Sequence, residues 1–177
     1  GIPAGVNYAW SVTAHTCLLS GTLTVTQPVA IPLSGKVTYY NAANTVMSGV
    51  TVELKQGATV VQSALSDGSG NYTFANVCPG TYDVVASTTA PVGGINITDA
   101  AQVNAYGVAA PSPPIEKVKF YAGDVILNNN LNAVDAQRIL SYFMTSGVPG
   151  WSVRGPWTFW LAGDIMPANP APSPGLL

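Results

Sequence analysis

The chain has 177 residues, of which 47% are hydrophobic and only 8% are charged, and its formal net charge is −2. A chain of this length and apolar content is typical of one or two folded domains and not of a disordered tail. The six basic residues form no patch, which argues against nucleic acid or an anionic membrane as a partner. The longest apolar runs fall far short of the about 18 residues of a membrane span. The start at Gly1, without Met or a signal peptide, predicts a processed or excised N terminus.

The first 32 residues predict β-strand. Around residue 24, Leu23 and Val25 alternate with three threonines, which is the period of a strand. The Gly-x-Leu-Thr-Val-Thr phrase from Gly21 resembles the closing strand of bacterial surface Ig-like repeats. We interpret residues 1–32 as the tail of a preceding domain or as a strand that pairs with a neighbouring chain.

Two cysteines, Cys17 and Cys78, are far apart and form no CxxC motif, which argues against a zinc ribbon or a redox site. In an oxidising exterior the two can pair, which predicts a disulfide that ties the N-terminal strand to the rest of the chain. Two unpaired thiols are the alternative.

Residues 33–87 predict five short strands. Their connections have turn chemistry, such as Asp67-Gly68-Ser69-Gly70 and Cys78-Pro79-Gly80. Short strands at about ten-residue spacing with Gly and Pro turns are typical of a β-sandwich. The phrases SGKVTYYN, SGVTVELK and SDGSGNYTFANVCPGTYDVVAS resemble the carboxypeptidase-regulatory-like, or prealbumin-like, module, which implies an Ig-like β-sandwich.

Residues 88–147 contain a loop with calcium-ligand spacing. Asp124 and Asp135 stand at positions one and twelve of an EF-hand-type loop, and asparagines occupy positions five, seven and nine. The loop leads into AVDAQRILSYFM, whose apolar residues recur at helical spacing. The predicted calcium ligands are Asp124, Asn128, Asn130 through its carbonyl, Asn132 and Asp135.

An upstream segment echoes this loop. GINITDAAQV from Gly94 aligns with NLNAVDAQRI from Asn130, so that Asp99 lies over Asp135 and Asn96 over Asn132. Such a tandem pair resembles a dockerin, a calcium-dependent module of secreted bacterial proteins that binds cohesins. The likeness implies a two-helix module with calcium in the second loop only, because the first loop has lost its acids. Position three of the second loop is Ile126, which offers no ligand. The alternative is that both aspartates merely cap helices.

The tail from Val148 to Leu177 is rich in Trp and Pro. Its segment GPWTFWLAGD, from Gly155, predicts a strand that packs on another part of the chain. Trp151, Trp157 and Trp160 are predicted aromatic contact residues. Aromatic residues of this kind are more often packing residues than a carbohydrate platform, although a row of them can also stack on sugar.

The sequence predicts no enzyme. One histidine, no GxSxG motif, no pair of acids that stands out and no phosphate loop leave no recognisable catalytic group. The fold class expected is mainly β with a small α part, an Ig-like sandwich followed by a dockerin-like two-helix module. This architecture resembles the C-terminal regions of secreted surface proteins of Bacteroidota-like bacteria.

Three functions are compatible with this organisation. We expect an extracellular, self-associating structural subunit of a surface fibre or layer, because a surface so poor in charge repels its neighbours weakly. The second is a dockerin-type module that binds a cohesin-like protein. The third is a carbohydrate-binding surface module that uses the tryptophans of the tail.

Overall fold

In the computed structural model of the chain, residues 29–109, 112–145 and 152–166 are described in full, together with the backbone of 7–14 and 17–24. These residues form nine strands and three helices. The elements are β1 (Asn7–Ala14), β2 (Cys17–Thr24), β3 (Ile31–Lys36), β4 (Thr51–Gln56), β5 (Thr59–Leu65), β6 (Asn71–Val77), β7 (Asp83–Ser87), α1 (Ile97–Val108), β8 (Ile115–Glu116), α2 (Lys117–Gly123), α3 (Ala133–Met144) and β9 (Ile165–Met166).

Strands β3 to β7 form a β-sandwich, which confirms the predicted fold of this block. One antiparallel sheet pairs β3 with β6, and the other has the order β5-β4-β7. Alternation on β4 explains the core, because Val52 and Leu54 are almost completely buried while Glu53 between them is half-buried. The sandwich core consists of Val37, Val50, Val52, Leu54, Phe74 and Val77.

Side-chain hydrogen bonds close the sandwich at two places. The Gln62 amide on β5 donates to the carbonyl of Ala75 on β6 at 2.8 Å, which connects the two sheets. The hydroxyl of Ser66 accepts from the Val50 amide at 2.9 Å and donates to the Met47 carbonyl at 2.7 Å. Ser66 is buried, so these bonds satisfy a polar group that would otherwise destabilise the core.

The turn between β5 and β6 is built around Asp67. One carboxylate oxygen accepts from the amides of Ser69 at 2.8 Å and Asn71 at 2.9 Å. The backbone hydrogen bond from Asn71, followed by that from Ser69, holds the pKa of Asp67 below its ordinary value. The same side chain that marks a turn in the sequence therefore stabilises it as an anion.

Replacing Asp67 by Asn is expected to weaken the pH dependence of stability in acid. A lowered pKa in the folded state means that Asp67 stabilises the fold fully above its unfolded pKa, and that this contribution is lost as the pH falls through the folded pKa. Urea unfolding between pH 7 and pH 2 should therefore show the wild type losing more stability below about pH 4 than Asp67→Asn. An equal loss in both proteins would contradict the prediction.

The N-terminal segment forms a β-hairpin separate from the sandwich. β1 and β2 pair antiparallel from Asn7↔Thr24 to Ala14↔Cys17. Within the described residues, this hairpin is a two-stranded sheet of its own and adds to neither sheet of the sandwich. Residues 7–14 and 17–24 are in strands, as the sequence predicts, while Val25 lies outside the described residues. The interpretation of residues 1–32 as the tail of a preceding domain or as an inter-chain strand stays a prediction.

The helical part follows the sandwich. Helices α1 and α3 pack against each other around Ala100, Val125 and Ile139, with Ile95, Val103, Ile126 and Leu140 at the margin. The short helix α2 lies between them in sequence and buries Phe120 completely. No helix among the described residues has the length and hydrophobicity needed to cross a bilayer.

The C-terminal segment differs from its prediction. The aromatic residues 157–160 are not in a strand; the strand lies just after them as β9, which pairs with β8. The tail nevertheless packs on the rest of the chain, and residues 167–177 lie outside the described part.

Candidate functional site

The two similar segments of the sequence, from Gly94 and from Asn130, each form a helix N terminus with the same capping arrangement. Asn96 precedes α1, and its side chain accepts from the Thr98 amide at 2.7 Å while Asp99 accepts from the Asn96 amide at 2.8 Å. Asn132 and Asp135 make the corresponding capping box at α3. Such reciprocal caps satisfy backbone amides that a helix leaves unpaired. Capping therefore accounts for these four residues without a metal.

Asp124 is a completely buried acid at the start of the loop. Its carboxylate is fully buried and accepts from the backbone amides of Asn128 at 3.0 Å and Asn129 at 3.1 Å. The guanidinium of Arg154 donates to the same carboxylate from Nη2 at 2.7 Å and to the Asp124 carbonyl from Nε at 3.1 Å. One arginine therefore holds both the side chain and the backbone of loop position one.

Arg154 comes from the segment that follows α3. The Val153 amide donates to the Val125 carbonyl at 2.7 Å, which fixes the backbone beside the loop. The Arg154 guanidinium carbon lies 4.7 Å from the ring centroid of Tyr121, so the cation also rests on an aromatic face. Sequence reasoning missed this residue, because a single arginine in a Trp-rich tail carries no motif that places it on Asp124.

Asp135 is also buried, at the other end of the loop. Its two oxygens accept from the Ile126 amide at 3.3 Å and the Asn132 amide at 3.2 Å, so the side chain spans the loop. Burial raises the pKa of Asp135, and the negative charge of Asp124 raises it further against the opposing effect of the amides. The loop thus places two carboxylates near each other, and Arg154 forms an ion pair with one of them.

The donor set fits calcium poorly in this conformation. Calcium takes six to eight oxygens, yet Asp124 is ion-paired to Arg154, and Ile126 provides no side-chain ligand. The side-chain oxygen of Asn128 accepts from the Asn130 amide at 3.0 Å, and that of Asn132 caps α3. Among the described residues, no three acidic, histidine or cysteine side chains converge on a metal position. Calcium binding here stays a prediction.

The tryptophans of the tail make internal contacts. Trp157 donates from Nε1 to the Ala90 carbonyl at 2.8 Å, and its ring lies 6.1 Å from that of Tyr39. Trp160 packs against Tyr121 at a centroid distance of 4.4 Å and donates to Asp164 at 2.9 Å. Trp151 lies outside the described residues. These contacts agree with the packing interpretation of Trp157 and Trp160.

Polar contacts further connect the sandwich, the helices and the tail. Tyr40 donates to Glu116 at 3.0 Å, and the Lys119 ammonium lies 5.2 Å from the Tyr40 ring centroid. Lys117 pairs with Asp164 at 3.0 Å beside the short β8–β9 sheet. The Lys117 contact, together with the bond from Trp160, lowers the pKa of Asp164. The tail segment is therefore a strap across both parts of the chain.

The predicted disulfide stays a prediction. Cys78 is exposed and pairs with no cysteine side chain among the described residues. The backbone of Cys17 begins β2, but its side chain lies outside the described part of the chain.

The comparisons with known proteins concern the sandwich. Residues 32–90 match a family model described as BOS complex subunit NOMO1-like, second beta sandwich domain. No curated protein and no solved structure was found to match the chain. The matched range begins and ends within a few residues of the block 33–87 that the sequence predicts as a sandwich. The comparison therefore supports an Ig-like β-sandwich for this third of the chain.

Proposed function

We propose that this chain is a non-catalytic, extracellular structural subunit that associates with copies of itself into a fibre or a surface layer. The observation that carries the proposal is the hairpin β1–β2, which stands as a two-stranded sheet of its own within the described residues. An isolated two-stranded hairpin is at best marginally stable in water, and a third strand or a packing partner is needed to hold it. A neighbouring copy can supply that partner.

The sandwich offers a suitable acceptor edge at β7. Edge β5 lies against β6, to which Gln62 donates, and edge β3 contains Pro32 and an irregular register between Ile31 and Leu33. Proline and bulges are features that protect edges from pairing. Strand β7 pairs only with β4 among the described strands and has neither feature. We therefore place the hairpin of one copy beside β7 of the next.

The surface suits such contacts. Only 8% of the residues are charged, whereas a soluble domain has roughly 25–35% charged residues on its surface. Exposed apolar side chains include Val84 and Val85 on β7 itself. A contact between two different surfaces of the same chain repeats without closing when its rotation does not return to the start, and it then builds a filament.

Two further points support an extracellular assembly role. The sandwich and loop resemble parts of secreted bacterial surface proteins. The family model that the sandwich matches is named for a subunit of a complex, and a sandwich used for assembly is in keeping with that name. Neither resemblance brings a catalytic group with it.

Deletion of residues 1–30 is expected to convert an assembling chain into a soluble monomer, because it removes the hairpin that would pair with β7 of a neighbouring copy. Light scattering across a concentration series and negative-stain microscopy measure the change. Val85→Lys should also weaken assembly by placing a charge on the β7 edge. Val61→Lys on β5 is the matched control, since Val61 and Val85 are both exposed valines of edge strands. An intact chain that stays monomeric at high concentration, with no change on deletion, would refute the proposal.

A second candidate function is docking to a cohesin-like protein. It is favoured by the packing of α1 on α3 and by their matching capping boxes, with Gln102 on α1 and Gln137 on α3 both exposed. Co-elution of the chain with a purified cohesin in size-exclusion chromatography, lost when both glutamines are replaced by Ala, would support this function. Absence of any complex would leave self-association as the proposed role.

A further inference from the structure

We propose that Arg154 is a built-in cation for the loop that begins at Asp124: it holds the loop closed without a metal, and a calcium ion can enter only by displacing it. This inference concerns the helical part of the chain and is independent of the proposed assembly. It explains how a loop with calcium-ligand spacing holds two buried carboxylates although its position three is Ile126.

Both the carboxylate and the carbonyl of Asp124 have hydrogen-bond donors. Backbone amides of Asn128 and Asn129 each donate to one carboxylate oxygen, and Arg154 donates to one of those oxygens and to the carbonyl. A planar guanidinium presents its donors in a rigid fork that reaches two separate acceptors at once. A lysine ammonium is a compact point charge and lacks this fork. The contact is therefore specific for arginine in shape as well as in charge.

The ion pair between Asp124 and Arg154 is largely buried. Asp124 has no exposed surface, and the side chain of Arg154 is 21% exposed. Exposed ion pairs contribute little to stability, whereas loss of one partner from a buried pair leaves an uncompensated charge and is strongly destabilising. The aromatic face of Tyr121 and the backbone bond of Val153 hold the arginine in place.

Arg154 and a calcium ion would compete for the same oxygen of Asp124. Calcium binds carboxylate oxygens at 2.3–2.6 Å, and the Nη2 of Arg154 already lies 2.7 Å from an oxygen of Asp124. Two cations cannot share that oxygen without strong repulsion. A calcium ion coordinated by this oxygen therefore displaces the Arg154 guanidinium from Asp124.

The test begins with thermal unfolding of the full chain in EDTA. Arg154→Met should lower the midpoint by about 10 °C, as expected for a broken buried ion pair in a chain of this size. The midpoint of Arg154→Lys should lie between those of the wild type and Arg154→Met. The lysine variant also provides a result if Arg154→Met does not fold. Lys36→Met, which replaces an exposed cation at the end of β3 in the sandwich, is the control and should shift the midpoint by about 2 °C or less.

A double variant separates charge compensation from general packing. If Arg154 acts by neutralising Asp124, Asp124→Asn should make the second replacement, Arg154→Met, far less harmful than it is in the wild type. Purely additive losses would overturn the proposal, because they would mean that Arg154 stabilises the chain through contacts unrelated to Asp124.

Calcium titration tests the exchange itself. By calorimetry, Arg154→Met should bind calcium chloride at least about tenfold more tightly than the wild type, a difference of about 1.4 kcal/mol, and Arg154→Lys, which keeps a cation, should bind with an affinity between those of the two. Millimolar calcium should raise the unfolding midpoint of the variant and leave that of the wild type unchanged. Equal affinities, no binding by either protein, or a wild type that loses stability in EDTA would each overturn the proposal.

Discussion

Phe120→Ala is expected to lower the free energy of unfolding by about 3–5 kcal/mol, the usual cost of removing a buried phenylalanine. Phe120 on α2 is completely buried. Its ring meets that of Tyr106 edge-on at 6.5 Å and that of Tyr121 at 5.4 Å. Loss of the ring therefore leaves a cavity and removes two aromatic contacts at once.

Urea denaturation measures this effect, and two other phenylalanines calibrate it. Phe74 has the same chemistry in the sandwich core and is 1% exposed, whereas Phe143 on α3 is 46% exposed. We expect Phe74→Ala to cost about as much as Phe120→Ala, and Phe143→Ala to cost about 1 kcal/mol or less. A Phe120→Ala protein as stable as Phe143→Ala would show that α2 does not form part of the core.

The Phe pair also reports on the C-terminal strap. Tyr121, which contacts Phe120, packs on Trp160, and Phe159 packs against the sandwich core that contains Phe74. Because the strap contacts both cores, a substitution that destabilises one core should also destabilise the other. Both variants should then unfold in one transition followed equally by circular dichroism and by tryptophan fluorescence.

The sandwich could be predicted from sequence because its information is local. Buried apolar residues recur at every second position, as with Val50, Val52 and Leu54. The residue types around Asp67 predict a turn. The two long helices were equally accessible, since Asn96 and Asn132 are strong caps followed by apolar residues at helical spacing.

Other features depend on contacts far apart in sequence. Helix α2 has seven residues and no side-chain cap, so nothing local marks its start. The pairing of Arg154 with Asp124 spans 30 residues. In the tail, Trp157 and Trp160 find partners on Ala90 and Tyr121, and these side-chain contacts, rather than strand pairing, place the segment that was predicted as a strand.

The candidate site was predicted in part for the same reason. Spacing identified Asp124 and Asp135, which the structure brings to one loop as buried acids. Spacing carries no information on which cation faces them. A loop that keeps its acids but gains an arginine from elsewhere looks in sequence like a calcium site, and only the folded contacts distinguish the two.

Gly107→Ala is the substitution for which the helix rule and the packing disagree. Alanine in the interior of a helix is ordinarily better than glycine by about 0.5–1 kcal/mol. At Gly107 on α1, however, a Cβ atom would lie 2.6 Å from the Leu131 carbonyl oxygen and 2.9 Å from the Cα of Asn132. Both neighbours are backbone atoms at the start of α3, so neither can move as a flexible side chain would.

The expected result is therefore a loss of about 1–3 kcal/mol, because overpacking at this crossing outweighs the gain in helix propensity. Gly93→Ala is the control, since nothing lies within 4 Å of its added Cβ. It should change the stability by about 0.5 kcal/mol or less. Urea midpoints of the two variants decide the matter. If Gly107→Ala is as stable as Gly93→Ala, α1 does not contact the backbone at Leu131 closely. The inference of close packing between α1 and the start of α3 would then be wrong.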